Sequence, residues 1–218
     1  FKAAPKDEIT SRIHDFFTPA AARPSAPKDG DDWAKQRQGA LVQLKEKTFR
    51  GWPDSGEDLN LKLAFKGVEK GVSLTAYDFD SQAHVRLRIY VIKAKGLEAP
   101  EKVLFNILGE DDWSRWLAAM GFAFSEQFSK ELKSGTKADG PSFEQLQKSL
   151  LARNNVWVFL APRGIGLTDW RAGFSDPKTI AKKETQIRRR YMLVGQTLDG
   201  MRVWDIRRGI QACGRVAG

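Results

Sequence analysis

Val156-Trp-Val-Phe-Leu-Ala161 runs directly into Pro162-Arg-Gly-Ile-Gly166, and this junction decides how the rest of the chain is read. Six consecutive apolar residues ending in a Pro/Gly turn predict a short strand covered on both faces. Val103-Leu-Phe-Asn-Ile-Leu108 is a second run, apolar at five of its six positions. Between the two lie Trp116, Leu117, Met120 and Phe124, then a polar break at 134–141, then a helical pattern over 143–151. Two buried strands separated by helical segments predict a crossover between parallel strands of an open α/β sheet. In such sheets ligands gather at the carboxyl ends of the strands, where Pro162–Gly166 lies. The Gly164-x-Gly166 pair lacks the third glycine of a dinucleotide fingerprint, so it does not by itself indicate a nucleotide.

Upstream, Leu59, Leu61, Leu63 and Phe65 alternate with polar residues, residues 72–79 are rich in β-branched and aromatic residues, and Val85, Leu87, Ile89 and Val91 alternate again. A period of two predicts antiparallel strands with one buried face. Asp80-Ser-Gln-Ala-His84 reads as the hairpin loop, with His84 a plain loop residue. Downstream, residues 181–212 predict interrupted helix. Tyr191, Val194, Leu198 and Met201 recur at helical spacing, as do Val203, Ile206 and Ile210, while Gly195 and Gly200 point to a bend or to close packing. At the other end, residues 7–17 predict a short helix capped by Asp7 or Thr10. Residues 19–32 have the Pro/Ala-rich composition of a linker, and Asp32 opens a helix that Gly51-Trp52-Pro53 closes by residue 49.

With 218 residues, seven Trp and thirteen Phe, the chain can build one large core. A single cysteine, Cys213, excludes an internal disulfide and thiolate metal cages, and neither His14 nor His84 has partners at ligand spacing. We therefore expect no metal and no cofactor. No apolar run reaches the roughly 20 residues of a membrane-spanning helix, and we expect no membrane partner. The formal charge is +9 and is sharpest at Arg188-Arg189-Arg190, with Arg202, Arg207 and Arg208 beyond. No nucleic-acid-binding motif accompanies it, so nucleic acid is not the expected partner.

The stretch Tyr191-Met-Leu-Val-Gly-Gln-Thr-Leu-Asp-Gly-Met-Arg-Val-Trp-Asp-Ile-Arg-Arg-Gly-Ile210 resembles the helix before the nucleophile elbow in α/β-hydrolases of the acetyl xylan esterase and dienelactone-hydrolase-like group. Val156 to Gly166 resembles the preceding strand and its Arg-Gly-x-Gly loop, and 102–113 the strand entering the oxyanion loop. The resemblance spans about residues 60–212. It implies an α/β class with a partial hydrolase sheet: antiparallel opening strands, then parallel strands with crossover helices, in the order 1-2-4-3, cut before the nucleophile strand. It also implies serine esterase chemistry, in which a serine attacks an ester carbonyl, a histidine takes the proton and an acid orients the histidine.

This chain has no Gly-x-Ser-x-Gly, and by position His14 and His84 cannot serve as the family's histidine. The triad is thus expected outside these residues, and the chain alone is expected to be inactive. Gly109 and Glu110 are the candidate backbone oxyanion donors, and Arg163 is the candidate pocket residue. Residues 1–18 are expected as a helical segment of a preceding domain, 19–32 as linker and 33–218 as the amino-terminal half of the hydrolase domain. Expected partners are the missing carboxyl-terminal half, or a second copy through strand Val103–Leu108. The parent's substrate is expected to be a small ester or acetylated carbohydrate, and resemblance to secreted esterases implies an extracytoplasmic location. The alternative is a non-catalytic basic α/β module in which Arg188–Arg190 and Arg207–Arg208 hold an anionic polymer.

Overall fold

The computed structural model describes residues 5–20, 25–53, 57–132, 136–171 and 173–217. Two compact units are present, Phe1–Lys45 and Glu46–Gly218. In the first, a 3-10 turn at Thr10–Arg12 leads into α1 (Ile13–Ala20), and α2 spans Gly30–Gln43. The carboxylate that opens the first turn is Glu8, which accepts from the Ser11 amide at 2.9 Å, rather than Asp7 or Thr10. Asp29 caps α2 by accepting from the Asp32 amide at 2.8 Å. The apolar side chains expected to seat that helix, Trp33 and Leu41 among them, are exposed. α1 extends through Pro19 and Ala20 into the stretch read as linker, and residues 21–24 of that stretch lie outside the described residues.

The second unit is a five-stranded sheet in the order β1-β2-β3-β5-β4. Its strands are β1 (Lys62–Glu69), β2 (Val72–Gln82), β3 (Val85–Ala94), β4 (Lys102–Ile107) and β5 (Asn155–Leu160). The first three form an antiparallel meander, and β3 pairs antiparallel with β5. β4 runs parallel to β5, with Leu104 opposite Trp157 and Phe105 opposite Val158. Counted from Val72, the strands lie in the expected 1-2-4-3 order, and the mixed α/β class is the observed one. β1 is an additional antiparallel strand at the far edge. The crossover from β4 to β5 passes through α3 (Glu110–Ala123) and α4 (Gly140–Leu151). Of the polar break between these helices, residues 133–135 lie outside the described residues.

Both faces of the sheet are covered. Val72, Leu74, Ala76, Tyr90, Ile92 and Phe159 point to one side and pack with Trp116, Met120 and Phe143 of α3 and α4. Phe79, Leu87, Ile89, Val91, Val158 and Leu160 point to the other and meet α6 (Leu198–Val216) at Ala212 and Cys213. The one-sided reading of residues 85–92 is thus corrected: Arg86 and Arg88 hold one face polar at the start, after which Tyr90 and Ile92 bury that face as well. The expected five-residue hairpin loop also shrinks. Gln82 pairs with Val85, leaving Ala83 and His84 as the turn, with His84 at φ +63°. In β1 the strict alternation fails because a bulge between Leu63 and Phe65 places Ala64 and Phe65 together on the α3/α4 side, while Leu59 and Leu61 reach the α6 side.

α5 (Pro177–Leu193) and α6 replace the single interrupted helix, and both begin with side-chain caps, Asp176 and Thr197. Gly195 supplies the left-handed residue between them at φ +75°. The break ends the 191–201 series as a helical stripe: Leu198 and Met201 are buried on α6, whereas Val194 is 68% exposed. β4 also departs from expectation. Its apolar run predicts cover on both faces, yet Val103, Leu104 and Ile107 are exposed, because among the described residues no strand lies beyond it.

α6 approaches the sheet most closely at Gly209, where an added Cβ would lie 2.6 Å from Leu160 Cδ2 and 3.1 Å from Phe105 Cζ. Gly209→Ala should therefore lower the melting temperature. The gain in helix propensity of about 1 kcal/mol is outweighed by an overpacking cost of roughly 1–3 kcal/mol. Thermal unfolding followed by circular dichroism measures the sign.

Candidate functional site

The carboxyl end of β5 is anchored by a buried polar network. A bulge between Asp80 and Gln82 turns Ser81 out of the ladder and toward α6. There its hydroxyl donates to Asp205 at 2.5 Å, and the Trp204 indole donates to the Ser81 carbonyl at 2.9 Å. Arg163 meets the same carboxylate three times: through its backbone amide at 2.9 Å, Nε at 2.8 Å and Nη2 at 2.6 Å. Nη2 also donates to Gln82 at 3.1 Å, and Arg202 donates to the Arg163 carbonyl at 3.2 Å. The Asp205 side chain is wholly buried and that of Arg163 is 6% exposed. Burial opposes the guanidinium charge, but the bonds and the charge of Asp205 outweigh it, so the arginine pKa lies above its ordinary value. Arg163, the residue expected to line a pocket, is thus placed in the joint between β5, the β2–β3 hairpin and α6.

The glycines of the turn have steric reasons. Gly164 sits at φ +79°, and a Cβ there would lie 1.9 Å from the Trp170 ring. Gly166 sits at φ +64°, with the Trp113 ring at 3.0 Å from such a Cβ. Thr168 closes the turn by accepting from the Gly164 amide at 2.9 Å.

Two cavities open beside this turn and share Trp113, Ile165 and Leu167 as walls. The smaller, 180 Å³, is bounded by Asp78, Arg88 and Tyr90. Arg88 grips Asp78 through two bonds at 2.6 and 3.1 Å and reaches Glu131 at 2.7 Å. Tyr90 is buried, which raises its hydroxyl pKa far above the usual phenol, and its oxygen has no protein partner. One oxygen of Glu131 is likewise buried and unpartnered. The larger cavity, 290 Å³, includes Glu110, Asp169 and Arg171. Arg171 donates to Asp169 from Nε at 3.0 Å and forms an ion pair with Glu110. Bonds and charge from Asp169 and Glu110 raise the Arg171 pKa against a desolvation penalty.

Glu110, the first residue of α3, lines the second cavity, and Gly109 precedes it as the N-cap of that helix. The same turn carries Glu110, Asp111 and Asp112. These carboxylates favour the helix dipole but oppose a second anion at that place. The structure brings Glu110 together with Arg171 and leaves Arg163 in the Asp205 network. Sequence reasoning missed Arg88, Tyr90, Glu131 and Arg171. The legible signal for the first two was a charged or hydroxyl-bearing face on a strand whose other face is fully apolar.

The arrangement offers an aromatic and aliphatic wall with fixed ion pairs at its rim. Among the described residues, no serine, cysteine or threonine on these walls has a histidine beside it. Cys213, on α6, is buried against the sheet, and that burial raises its thiol pKa. No group of three or more His, Cys, Asp or Glu among the described residues is arranged to hold a metal ion.

No known family model matches the sequence, and no curated protein matches it. Among solved structures, the fold is similar to a Bacteroides fragilis protein provisionally assigned as an acetyl xylan esterase. The TM-score is 0.62 and the identity 11%, over 96% of this chain and 52% of that one. The chain thus spans about half the length of that structure. At this identity the likeness concerns the fold alone, a mixed α/β sheet with a helical crossover between two parallel strands.

Asp205→Ala should destabilise strongly, because it strands the Arg163 charge in the interior. Breaking one partner of such a pair costs about 3–5 kcal/mol, or roughly 10 °C in melting temperature for a domain of this size. Asp205→Asn keeps the shape and part of the hydrogen bonding and should lose less. Equal melting temperatures for the wild type and Asp205→Ala would remove this network from its central place.

Proposed function

We propose that this chain forms the amino-terminal part of a carboxylic-ester hydrolase module of the acetyl xylan esterase-like group, with nucleophile, acid and histidine supplied by residues outside it. The observation that carries the reading is the strand order, with parallel β4 and β5 next to an antiparallel opening pair. It is supported by the solved structure that covers nearly all of this chain with half of its own length. In this reading the turn after β5 and the N-terminus of α3 form one side of the substrate site, where Gly109 and Glu110 approach the ester and the Trp113 wall takes the apolar or sugar part of the substrate. The parent's substrate is a small ester or an acetylated carbohydrate.

The open edge of β4 supports our reading of the partner. Val103, Leu104 and Ile107 are exposed on β4, with Leu151 beside one face and Ile210 of α6 on the other side of the sheet. A long apolar edge recruits another strand. That strand comes from the remainder of the hydrolase module or, failing that, from a second copy of this chain. The polymer-binding alternative has less support, because two of its five arginines are engaged in the fold. Arg207 lies over Trp204 at 5.3 Å, and Arg208 is buried and donates to the carbonyls of Glu57 and Asp80.

The isolated chain should hydrolyse p-nitrophenyl acetate no faster than its heat-denatured control, and turnover above that control would overturn the placement of the triad outside these residues. The coding sequence following Gly218 should contain a strand entering a Gly-x-Ser-x-Gly-like turn within about 20 residues. Self-association through β4 predicts a mass above that of the monomer in light scattering, shifted toward the monomer by Leu104→Lys. A wild-type monomer with a high, cooperative melt would count against the exposed edge as a docking strand.

A further inference from the structure

The carboxyl-terminal tip of α5 carries the most exposed apolar residues of the described chain. Met192 is 65% exposed, Leu193 85% and Val194 68%. Three consecutive side chains left in water in this way mark an interaction site. They are not on a frayed end. The Gln196 amide donates to the Tyr191 carbonyl at 2.9 Å and the Gly195 amide to the Met192 carbonyl at 3.0 Å, a Schellman cap with Gly195 as its left-handed residue. From outside the helix, Arg50 Nε donates to the Gly195 carbonyl at 3.1 Å, and the Gln196 side chain donates to the Gly51 carbonyl at 2.8 Å. The tip is held in place before anything binds it.

The charges around the tip are specific in sign and position. α5 holds six Lys or Arg against the single Glu184. No residue of the helix is fully buried, and only its inward side, with Ile180, Ile187 and Tyr191, is partly covered. Arg188, Arg189 and Arg190 precede Met192, Leu193 and Val194 by four residues each. Every exposed apolar side chain therefore stands one turn, about 6 Å, beyond an arginine on the same side of the helix. Lys178 and Lys182 continue the Arg189 stripe down the helix. The anions nearby are Glu184 and Asp199. The latter pairs with Arg188 at 2.8 Å, but both side chains are about half exposed or more, so the pair is weak and exchangeable.

We propose that this tip docks the protein on an anionic lipid surface. Met192, Leu193 and Val194 enter the headgroup–acyl boundary while Arg188, Arg189, Arg190 and Arg50 meet the phosphates. The depth matches, since interfacial elements bury their apolar parts by roughly 5–10 Å with cations at headgroup level. A polyanion in water would use the arginines but gain nothing from three bare apolar residues, and this favours a lipid surface over a nucleic acid or acidic polysaccharide. The expectation of no membrane partner rested on the lack of a spanning segment, which surface docking does not require. The inference stands apart from the hydrolase reading.

Co-sedimentation of the full chain with vesicles tests it. At low salt the protein should pellet with vesicles containing phosphatidylglycerol, stay in solution with pure phosphatidylcholine, and be released by high salt. Leu193→Asp should lower partitioning by about tenfold or more, because it removes the most deeply placed apolar side chain. The double reversal Arg189→Glu with Arg190→Glu should do the same through lost headgroup attraction, at about a fivefold loss or more per charge. All three positions are exposed, so melting curves should match the wild type. The proposal fails if the wild type does not pellet with anionic vesicles, or if it pellets equally with neutral ones. It also fails if Leu193→Asp binds as well as the wild type while the arginine reversals abolish binding, which is the pattern of a polyanion site.

Discussion

The Arg163–Asp205 pair is the constraint on which the second unit turns. It joins three pieces far apart in sequence: the turn after β5, the bulged end of the β2–β3 hairpin through Ser81 and Gln82, and the middle of α6. Apolar packing alone would let α6 slide or rotate across the sheet, since dispersion and burial are non-directional. A carboxylate that receives the Arg163 amide, two guanidinium nitrogens and the Ser81 hydroxyl admits one position only. The cost of burying both charges is offset because the carboxylate accepts four hydrogen bonds and the guanidinium donates three.

Fixing α6 in this way has consequences on both sides of the sheet. On its own side it lets Gly209 come within reach of Leu160 and Phe105, which closes the second core. On the other, it fixes the direction in which the chain leaves Pro162, so that Gly164 passes beneath Trp170 and Gly166 against Trp113. The cavities beside Trp113 are therefore a product of the same joint, even though Arg163 itself is not part of their lining. The division of labour is physical. Arg163 is consumed in positioning, while Arg88 and Arg171, nearer the solvent and each shared between two carboxylates, form the polar rim.

The surface carries two unsatisfied demands of different kinds. β4 presents a backbone edge flanked by Val103, Leu104 and Ile107, the edge that we propose pairs with another strand. The α5 tip presents side chains only, because its cap has already used the terminal amides and carbonyls. An edge is filled by directional hydrogen bonds. A capped apolar tip ringed by arginines is filled by a fluid, charged boundary.

Much of the fold is legible from residue order. The apolar runs at 103–108 and 156–161, with helical spacing between them, specify a parallel crossover, since a continuous apolar strand of that length has few other uses. The β-branched and aromatic stretch at 72–79 and the period-two stretch at 85–92, joined by a short loop, read as antiparallel neighbours. The candidate site is less legible. Gly109, Glu110 and Arg163 are found in the strand-end loops, but linear spacing does not say which loop residue meets which. Arg163 is claimed by an aspartate 42 positions away, and Arg171 by Glu110 across 61.

Local chemistry in the sequence determined most of the helices and strands, because propensity and periodicity act over a few residues, while the cap expected at Asp7 or Thr10 fell to Glu8. Only the tertiary structure decided that the bend expected near Gly195 leaves Met192–Val194 in water, that the hairpin tightens to two residues, and that Ser81, Arg163 and Asp205 share one buried site. Those outcomes depend on long-range burial and desolvation, which exist only once distant segments have come together.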